Sequence, residues 1–151
     1  MIEIISYNDT YAADFKKLNM EWLLKYHVLE QYDIDVLNHP HEKILDGGGY
    51  IFLAKTSDGI VGSAGLRKEN STTYEVVKMA VTQLYQGKGI SKQLMDTCMA
   101  TAKANKAEKL ILYSNSSLKT AISLYSKYGF THVNVVNSPL KTVDVKMELV
   151  L

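Results

Sequence analysis

The chain has 151 residues, of which 46% are hydrophobic and 22% are charged, a composition typical of one soluble globular domain. Its formal net charge is +1 and its basic residues are scattered, so neither nucleic acid nor an anionic membrane is expected as a partner. No apolar run approaches the roughly 20 residues of a membrane span, and the first residues lack the features of a signal peptide, so a cytoplasmic location is expected.

The first half of the chain predicts a strand, a long helix and a hairpin. Capping residues at positions 8–10 precede the helix, whose apolar stripe is predicted to be core. A Ser-Asp-Gly turn between two apolar runs indicates the hairpin. The predicted elements are strand 2–7, a helix ending near residue 26, an irregular stretch or short helix at 30–38, a short helix ending at residue 46, and strands 50–55 and 60–66.

The second half predicts a strand–helix–strand unit followed by a helix and a closing hairpin. A parallel crossover is expected here, because a helix joins two apolar strands. Ser116 and Ser117 are candidate caps of the last helix, and Gly129 ends it. The predicted elements are strand 74–81, a helix over about 89–105, strand 109–113, a helix ending at residue 129, and strands 133–136 and 143–150.

A glycine-bearing loop, Gln86-Gly87-Lys88-Gly89-Ile90-Ser91, lies between strand 74–81 and the helix that follows it. The first amides of a helix have no intrahelical acceptor, and the helix dipole makes their surroundings electropositive. Phosphate groups bind at such helix N-termini. The loop lacks the glycine spacing of a Walker motif and of the dinucleotide fingerprint, so a different phosphate ligand is indicated.

Two segments together resemble one family. The loop resembles the acetyl-coenzyme A pyrophosphate loop of the GNAT N-acetyltransferases, Gln/Arg-x-x-Gly-x-Gly/Ala, with Gln86 and Gly89 matching. Downstream, the segment from Ala121 to Phe130 is similar to the family's A-x-x-L-Y-x-x-x-G-F segment. The resemblance covers nearly the whole chain. It implies one α+β (α/β-like) GNAT domain over residues 1–151, with a mixed central sheet of six or seven strands and helices on both faces.

The resemblance also implies site residues. Tyr125 matches the family tyrosine near the coenzyme sulfur and is the candidate general acid, with a packed core tyrosine as the alternative. Glu75 occupies the position of the general base in the histone-acetylating branch, with a solvated surface charge as the alternative. Strand alternation assigns Glu75 to the same face as Val77 and Met79.

The candidate coenzyme-binding residues fall into three groups. The strand end is expected to pair through its backbone with the pantetheine arm, because in the family this strand splays from its neighbour. Ser91 stands where the family prefers Gly or Ala, and Leu118 stands where it often has Asn, so Asn115 is the candidate substitute for that amide. The set is Met79, Ala80, Val81, Gln86, Gly87, Lys88, Gly89, Ile90, Ser91 and Asn115.

No metal is expected, because His39 and His41 flank a proline without a third ligand nearby. The single cysteine, Cys98, is interpreted as a small core residue and not as a nucleophile.

The predicted function is acetyl-coenzyme A-dependent transfer of an acetyl group directly to a primary amine of a small molecule. Two alternatives remain open: a protein acetyltransferase for lysine or N-terminal amines, and a non-catalytic acyl-coenzyme A sensor module. Aromatic and acidic residues of the first helical region suit a cationic amine as acceptor, among them Trp22, Tyr26, His27, Glu30, Tyr32 and Asp33. A homodimer is also left open.

Overall fold

The structure is a computed structural model that describes residues 1–138 and 140–151. Seven strands and four α-helices are present in this part of the chain. A π-helix, His41–Leu45, and two short 3₁₀-helices complete it. In chain order the elements are β1 (Glu3–Ser6), α1 (Ala12–Lys25), α2 (Gln31–Asn38), β2 (Tyr50–Thr56), β3 (Gly59–Lys68), β4 (Thr73–Val81), α3 (Ile90–Ala104), β5 (Lys109–Ser114), α4 (Lys119–Lys127), β6 (Thr131–Val133) and β7 (Val145–Val150).

All seven strands form one mixed sheet in the order β1-β2-β3-β4-β5-β7-β6. Only β4 and β5 pair in parallel, and they are the two strands joined by α3. The remaining neighbours are antiparallel. The predicted mixed sheet and its single parallel crossover are therefore confirmed.

The sheet is covered on both faces, and β2 shows why. Phe52 and Ala54 face a core formed with α3 and α4, whereas Ile51 and Leu53 face a second core formed with α1, α2 and the π-helix. Alternate side chains of a strand point to opposite faces, so a strand that is apolar throughout is buried on both sides. Cys98 lies fully buried in the first core, as predicted.

The last hairpin is shorter than its sequence predicts. The strand predicted at 133–136 lies at Thr131–Val133, and the one predicted at 143–150 begins at Val145. In the antiparallel register Val133 is opposite Lys146, next to the start of β7. Only Val145 of β7 remains beyond this pair, so residues after Asn134 have no partner residue left in β7.

The predicted serine caps of α4 are also wrong. The N-cap is Leu118, which provides no side-chain hydrogen bond to the helix. Ser116 instead donates from its backbone N and its Oγ to the Asp144 carboxylate, at 2.8 and 2.6 Å. Ser117 donates in the same way to Asn115 Oδ1, at 2.9 and 2.6 Å. Both hydroxyls thus fix the loop before the helix.

The stripe on α1 is only partly core. Phe15, Leu18 and Leu23 are buried, but Trp22 is half-buried and Tyr26 is 41% exposed. These two aromatic residues line a cavity instead. Among the helices of the described residues, none has the length and apolar character needed to cross a bilayer.

Candidate functional site

Strands β4 and β5 separate part-way along their length. Thr73, Tyr74 and Glu75 pair with residues 109–111 of β5, but the rest of β4 has no partner on that side. Strand β5 continues to Ser114 and stays paired with β7. The second half of β4 therefore presents backbone N–H and C=O groups to a cleft, as predicted from the splayed strands of the family. Unpaired strand edges bind extended chains through main-chain hydrogen bonds.

The glycine loop lies at one end of this cleft. Gly87 and Gly89 have φ values of +78° and +80°. A Cβ on either residue would meet no atom within 4 Å, so the requirement for glycine is conformational and not steric. The loop turns sharply into α3, which begins at Ile90. The N–H groups of Ile90 and Ser91 therefore have no intrahelical acceptor and are available to an anion.

A β-bulge interrupts β4 at Lys78. The register between β3 and β4 shifts between Ser63 and Gly65, and Lys78 has a φ of +51°. The bulge overturns the predicted alternation: Val77 packs against the core of α1 and α2, whereas Met79 packs against the core of α3. Glu75 and Met79 thus lie on opposite faces. A non-glycine residue in this conformation costs about 1–3 kcal/mol and persists only where its surroundings hold it.

Buried hydrogen bonds hold the backbone of the bulge. Ser63 Oγ donates to the Lys78 carbonyl at 2.7 Å, and Asn19 Nδ2 donates to Ser63 Oγ at 3.1 Å. Asn19 Nδ2 also donates to the Phe15 carbonyl, and Asn19 Oδ1 accepts from Trp22 Nε1. Asn19 and Ser63 are fully buried. Every polar group of the Asn19 amide that faces the core is thereby satisfied, which such buried groups require.

A buried ion pair holds the side chain of the same bulge. Lys78 Nζ lies 2.5 Å from Asp33 Oδ1, and the two side chains are 8% and 3% exposed. Asp33 Oδ2 also accepts from the Glu30 backbone N at 2.9 Å, at the start of α2. Backbone and side chain of Lys78 are thus anchored to two different helices.

Glu75 lies beside the bulge, on the face of α1 and α2. Arg67, its cross-strand partner on β3, donates from Nε to Glu75 Oε1 at 3.0 Å. Burial raises the pKa of the Glu75 carboxyl, against the opposing attraction of Arg67, Lys78 and Lys146. A carboxylate with a raised pKa and one oxygen free of protein donors, among the described residues, has the properties of a general base.

Tyr125 lies in α4 at the boundary between the core and the cavity. Its ring packs on Phe130, with ring centroids 6.0 Å apart. Burial, with a smaller contribution from Cys98, raises the pKa of the Tyr125 phenol to about 12. The hydroxyl therefore keeps its proton throughout the neutral range. Within the described residues no side chain or backbone group is hydrogen-bonded to it.

One cavity of about 540 Å³ joins the two ends of the cleft. Glu75 and Tyr125 line it together with nearly all the predicted coenzyme-binding residues. Lys88 is the exception: it is exposed and does not line the cavity. Of the residues considered for the acceptor, Trp22, Tyr26, Tyr32 and Asp33 also line it, whereas His27 and Glu30 do not.

Asn115 lines the cavity but is engaged within the protein. Its Nδ2 donates to the Thr142 carbonyl at 2.5 Å, and its Oδ1 accepts from the Ser117 backbone N and Oγ. A coenzyme contact through this amide stays a prediction.

The two histidines are separate from the cavity. His41 Nε2 lies 2.6 Å from Asp9 Oδ1, and this hydrogen bond raises the pKa of the imidazole. Among the described residues no three His, Cys, Asp or Glu side chains are grouped as metal ligands.

Four structural residues of the site did not emerge from the sequence: Asn19, Ser63, Arg67 and Lys78. One signal was present, because Gly62-Ser63-Ala64-Gly65 is an unusual run of small residues for the middle of a strand. Such a run indicates a bulge or a close approach of the backbone. Asn19 is the only polar residue on the buried stripe of α1 and provides a second signal.

Comparisons with known proteins agree with this architecture. Residues 47–132 match the family profile described as "Acetyltransferase (GNAT) domain". The chain is 33% identical over 104 residues to the uncharacterized N-acetyltransferase YvbK of Bacillus subtilis, a match covering 67% of each chain. A GNAT-family acetyltransferase from Staphylococcus aureus superposes with a TM-score of 0.90 at 22% identity, covering 98% of both chains. The PaiA N-acetyltransferase of Thermoplasma acidophilum, solved in complex with coenzyme A, superposes with a TM-score of 0.79 at 19% identity, covering 100% of this chain and 99% of that one.

The chain therefore belongs to the GNAT family of acetyltransferases. The resemblance drawn from the glycine loop and from the segment ending at Phe130 is confirmed.

The buried hydrogen bonds at the bulge predict a large effect of a small change. Ser63→Ala leaves the Lys78 carbonyl and one Asn19 N–H without partners, so the free energy of unfolding should fall by about 1–3 kcal/mol. Urea unfolding measures this difference. Ser57→Ala, in the exposed hairpin turn, is the matched control and should change stability by less than about 0.5 kcal/mol. Equal stability of the two variants would show that the hydrogen bonds do not hold the bulge.

Proposed function

We propose that the protein is an acetyl-coenzyme A-dependent N-acetyltransferase that transfers an acetyl group directly to a primary amine of a small molecule. The observation that carries the proposal is one continuous cavity between diverging strands. It has a helix N-terminus suited to an anion at the glycine loop and a largely buried carboxylate, Glu75, whose side chain is 15% exposed, beside the bulge. Its volume of about 540 Å³ is in the range of small-molecule sites.

The residues present fit a coenzyme with a pyrophosphate and a long arm. The amides at the start of α3 suit the pyrophosphate. The unpaired edge of β4 from Val76 to Val81 suits an amide-containing arm that adds to it like a strand. When bound, acetyl-coenzyme A supplies an activated acyl group and a thiolate leaving group.

Glu75 and Tyr125 divide the proton transfers between them. Glu75, ionised and partly desolvated, accepts the proton that the amine must lose in order to attack. Tyr125, protonated at neutral pH, donates its proton to the departing sulfur. The cavity thus has a carboxylate as base and a phenol as acid, and no covalent acyl-enzyme is needed.

A small acceptor is favoured over a protein chain by the loop between β6 and β7. The Glu30 carboxylate accepts from the backbone N of Lys141 at 2.9 Å and from the backbone N and Oγ1 of Thr142 at 2.8 and 2.7 Å. Leu140, Thr142 and Val143 line the cavity. Three hydrogen bonds therefore tie this wall of the cavity to the start of α2, where a protein substrate would need an open groove.

Coenzyme binding at the glycine loop predicts a charge effect. Gly89→Glu places a carboxylate beside the helix N-terminus, whereas Gly89→Gln has the same size and the same backbone strain without the charge. Coenzyme A should bind to the Glu variant at least about tenfold more weakly than to the Gln variant, since 1.4 kcal/mol of like-charge repulsion corresponds to tenfold. Isothermal titration calorimetry measures both affinities. Equal affinities of the two variants would show that the pyrophosphate does not bind at this loop.

Tyr125→Phe separates a general acid from a core tyrosine. The change keeps the packing area and removes the hydroxyl, so turnover should fall about 10²–10⁴-fold while the acceptor KM changes little. Free-thiol release measures turnover, and calorimetry checks that coenzyme A still binds.

Tyr128→Phe is the matched control for this variant. The Tyr128 hydroxyl donates to Asp96 Oδ1 at 2.8 Å and lies 3.0 Å from the Lys92 carbonyl, so its loss should lower stability by about 1 kcal/mol without a comparable loss of turnover. If Tyr125→Phe keeps wild-type turnover on a good acceptor, Tyr125 is a packed core residue and not the general acid.

The raised pKa of Glu75 predicts the acid limb of the pH profile. The ionised carboxylate is the active form of a base, so kcat/KM should fall as the pH falls through that raised pKa. Glu75→Gln should lower kcat/KM about 10²–10⁴-fold and abolish this limb, while the limb set by the acceptor amine remains. A Gln variant that keeps the acid limb would assign the limb, and the role of base, to another group.

A further inference from the structure

The acidic residues near the acceptor end of the cavity are all engaged within the protein. Asp33 is bound by Lys78 Nζ and by a backbone N–H, and Glu75 is bound by Arg67. Glu30 is bound by two backbone N–H groups and a hydroxyl of the loop between β6 and β7. Asp33 and Glu30 are thus not available as counter-ions of a cationic ligand without breaking an existing contact, whereas Glu75 keeps one oxygen free of donors among the described residues.

The cations of the same region are less fully engaged. Arg67 uses Nε and Nη2 for Glu75 and Glu69, so among the described residues its Nη1 has no protein acceptor. The Arg67 side chain is 30% exposed and lines the cavity. Lys43, on the π-helix that packs against β3, also lines the cavity, and no described residue pairs with it.

The free Nη1 of Arg67 and the unpaired Lys43, among the described residues, therefore favour an anionic group of the ligand at this end. Lys43, Arg67 and Lys78 line the cavity together with two carboxylates, Asp33 and Glu75. A carboxylate of the ligand would thus meet two incompletely paired cations at this end, Lys43 and Arg67. An arginine with a free Nη1 is suited to a carboxylate oxygen, since charge-assisted hydrogen bonds of this kind are short and strong.

The spacing of Arg67 and Glu75 limits the shape of the ligand. Their side chains are in contact, with Arg67 Nη2 and Glu75 Oε1 3.0 Å apart. A ligand that brings its amine to Glu75 and a carboxylate to Arg67 must therefore have the two groups close together. An amino group and a carboxylate separated by one or two carbons meet this condition.

We propose that the acceptor is a small amino acid. Arg67 binds its carboxylate and determines specificity, while Glu75 faces its amine. This assignment depends on the proposed acetyltransferase function. It differs from the cationic amine that the acidic and aromatic residues of the sequence suggest, because those acidic residues, Asp33 and Glu30, are engaged by Lys78, backbone amides and the Thr142 hydroxyl.

Matched acceptors test the assignment. Each set contains an L-amino acid with an uncharged side chain, its primary amide and its decarboxylated amine. Each compound is assayed as acceptor by free-thiol release from acetyl-coenzyme A. The best amino acid should exceed both of its analogues in kcat/KM by at least about tenfold, as expected for one charge-assisted hydrogen bond. Thiol release without preference for the carboxylate, or preference for the amide or amine, would overturn the assignment alone. If no member of any set supports thiol release, the proposed function is overturned, and the assignment with it.

Arg67→Gln tests the residue, with the ratio of kcat/KM for the amino acid to that for its amide as the readout. The ratio should fall to near one, because the variant loses the group that binds the carboxylate. A structural effect or a changed Glu75 pKa would instead lower both values together and leave the ratio unchanged. Lys103→Gln, on the exposed end of α3, is the charge-matched control and should leave the ratio unchanged. If Arg67→Gln does not fold, Arg67→Lys serves instead and should reduce the ratio severalfold, because a point charge replaces the planar guanidinium. A wild-type ratio in the folded variant would overturn the role of Arg67.

Discussion

The separation of β4 from β5 after Glu75 is the constraint on which the rest of the site depends. If β4 and β5 were paired along their whole length, the main-chain groups of Val76–Val81 would be hydrogen-bonded within the sheet and no cleft would exist. Because α3 joins the two strands, its N-terminus lies where the cleft opens. A strand edge left unpaired in this way is normally a liability, and here it is the wall of the cavity.

The bulge at Lys78 is the second condition, and it carries backbone strain. Its carbonyl accepts from Ser63, whose hydroxyl accepts from Asn19 of α1, and its ammonium group is paired with Asp33 of α2, so both helices fix its position. These contacts are buried and satisfied, which makes them specific as well as stabilising. The bulge also turns Glu75 and Met79 to opposite faces of the sheet, so the candidate base and the candidate coenzyme-binding strand end have different surroundings.

The order of elements, the parallel crossover and the glycine loop could be predicted because each has a local signature: apolar runs, turn residues and a helix start. The position of the bulge in β4 could not, since it depends on pairing between β3 and β4. The small residues at 62–65 of β3 indicate an irregularity but not that Lys78 is the bulged residue, and alternation alone assigns Glu75 and Met79 to one face. The serine caps of α4 failed for a similar reason: Ser116 is bound to Asp144, 28 residues away in sequence. Residue charges were visible in the sequence, but their partners were not. The aromatic and acidic residues therefore suggested a cationic acceptor, and the ion pairs Lys78–Asp33 and Arg67–Glu75 suggest the opposite.

The fluorescence of the Trp22 indole depends on its hydrogen bond to Asn19 and on its position at the cavity. Trp22 is the only tryptophan of the chain, and its Nε1 is joined through Asn19 and Ser63 to the Lys78 carbonyl. It is also half-buried at the cavity wall. Tryptophan-selective excitation therefore samples a single location, where hydration and hydrogen bonding change as the cavity fills. The chain thus carries one intrinsic fluorophore at the wall of the cavity, placed to report the binding of a ligand there.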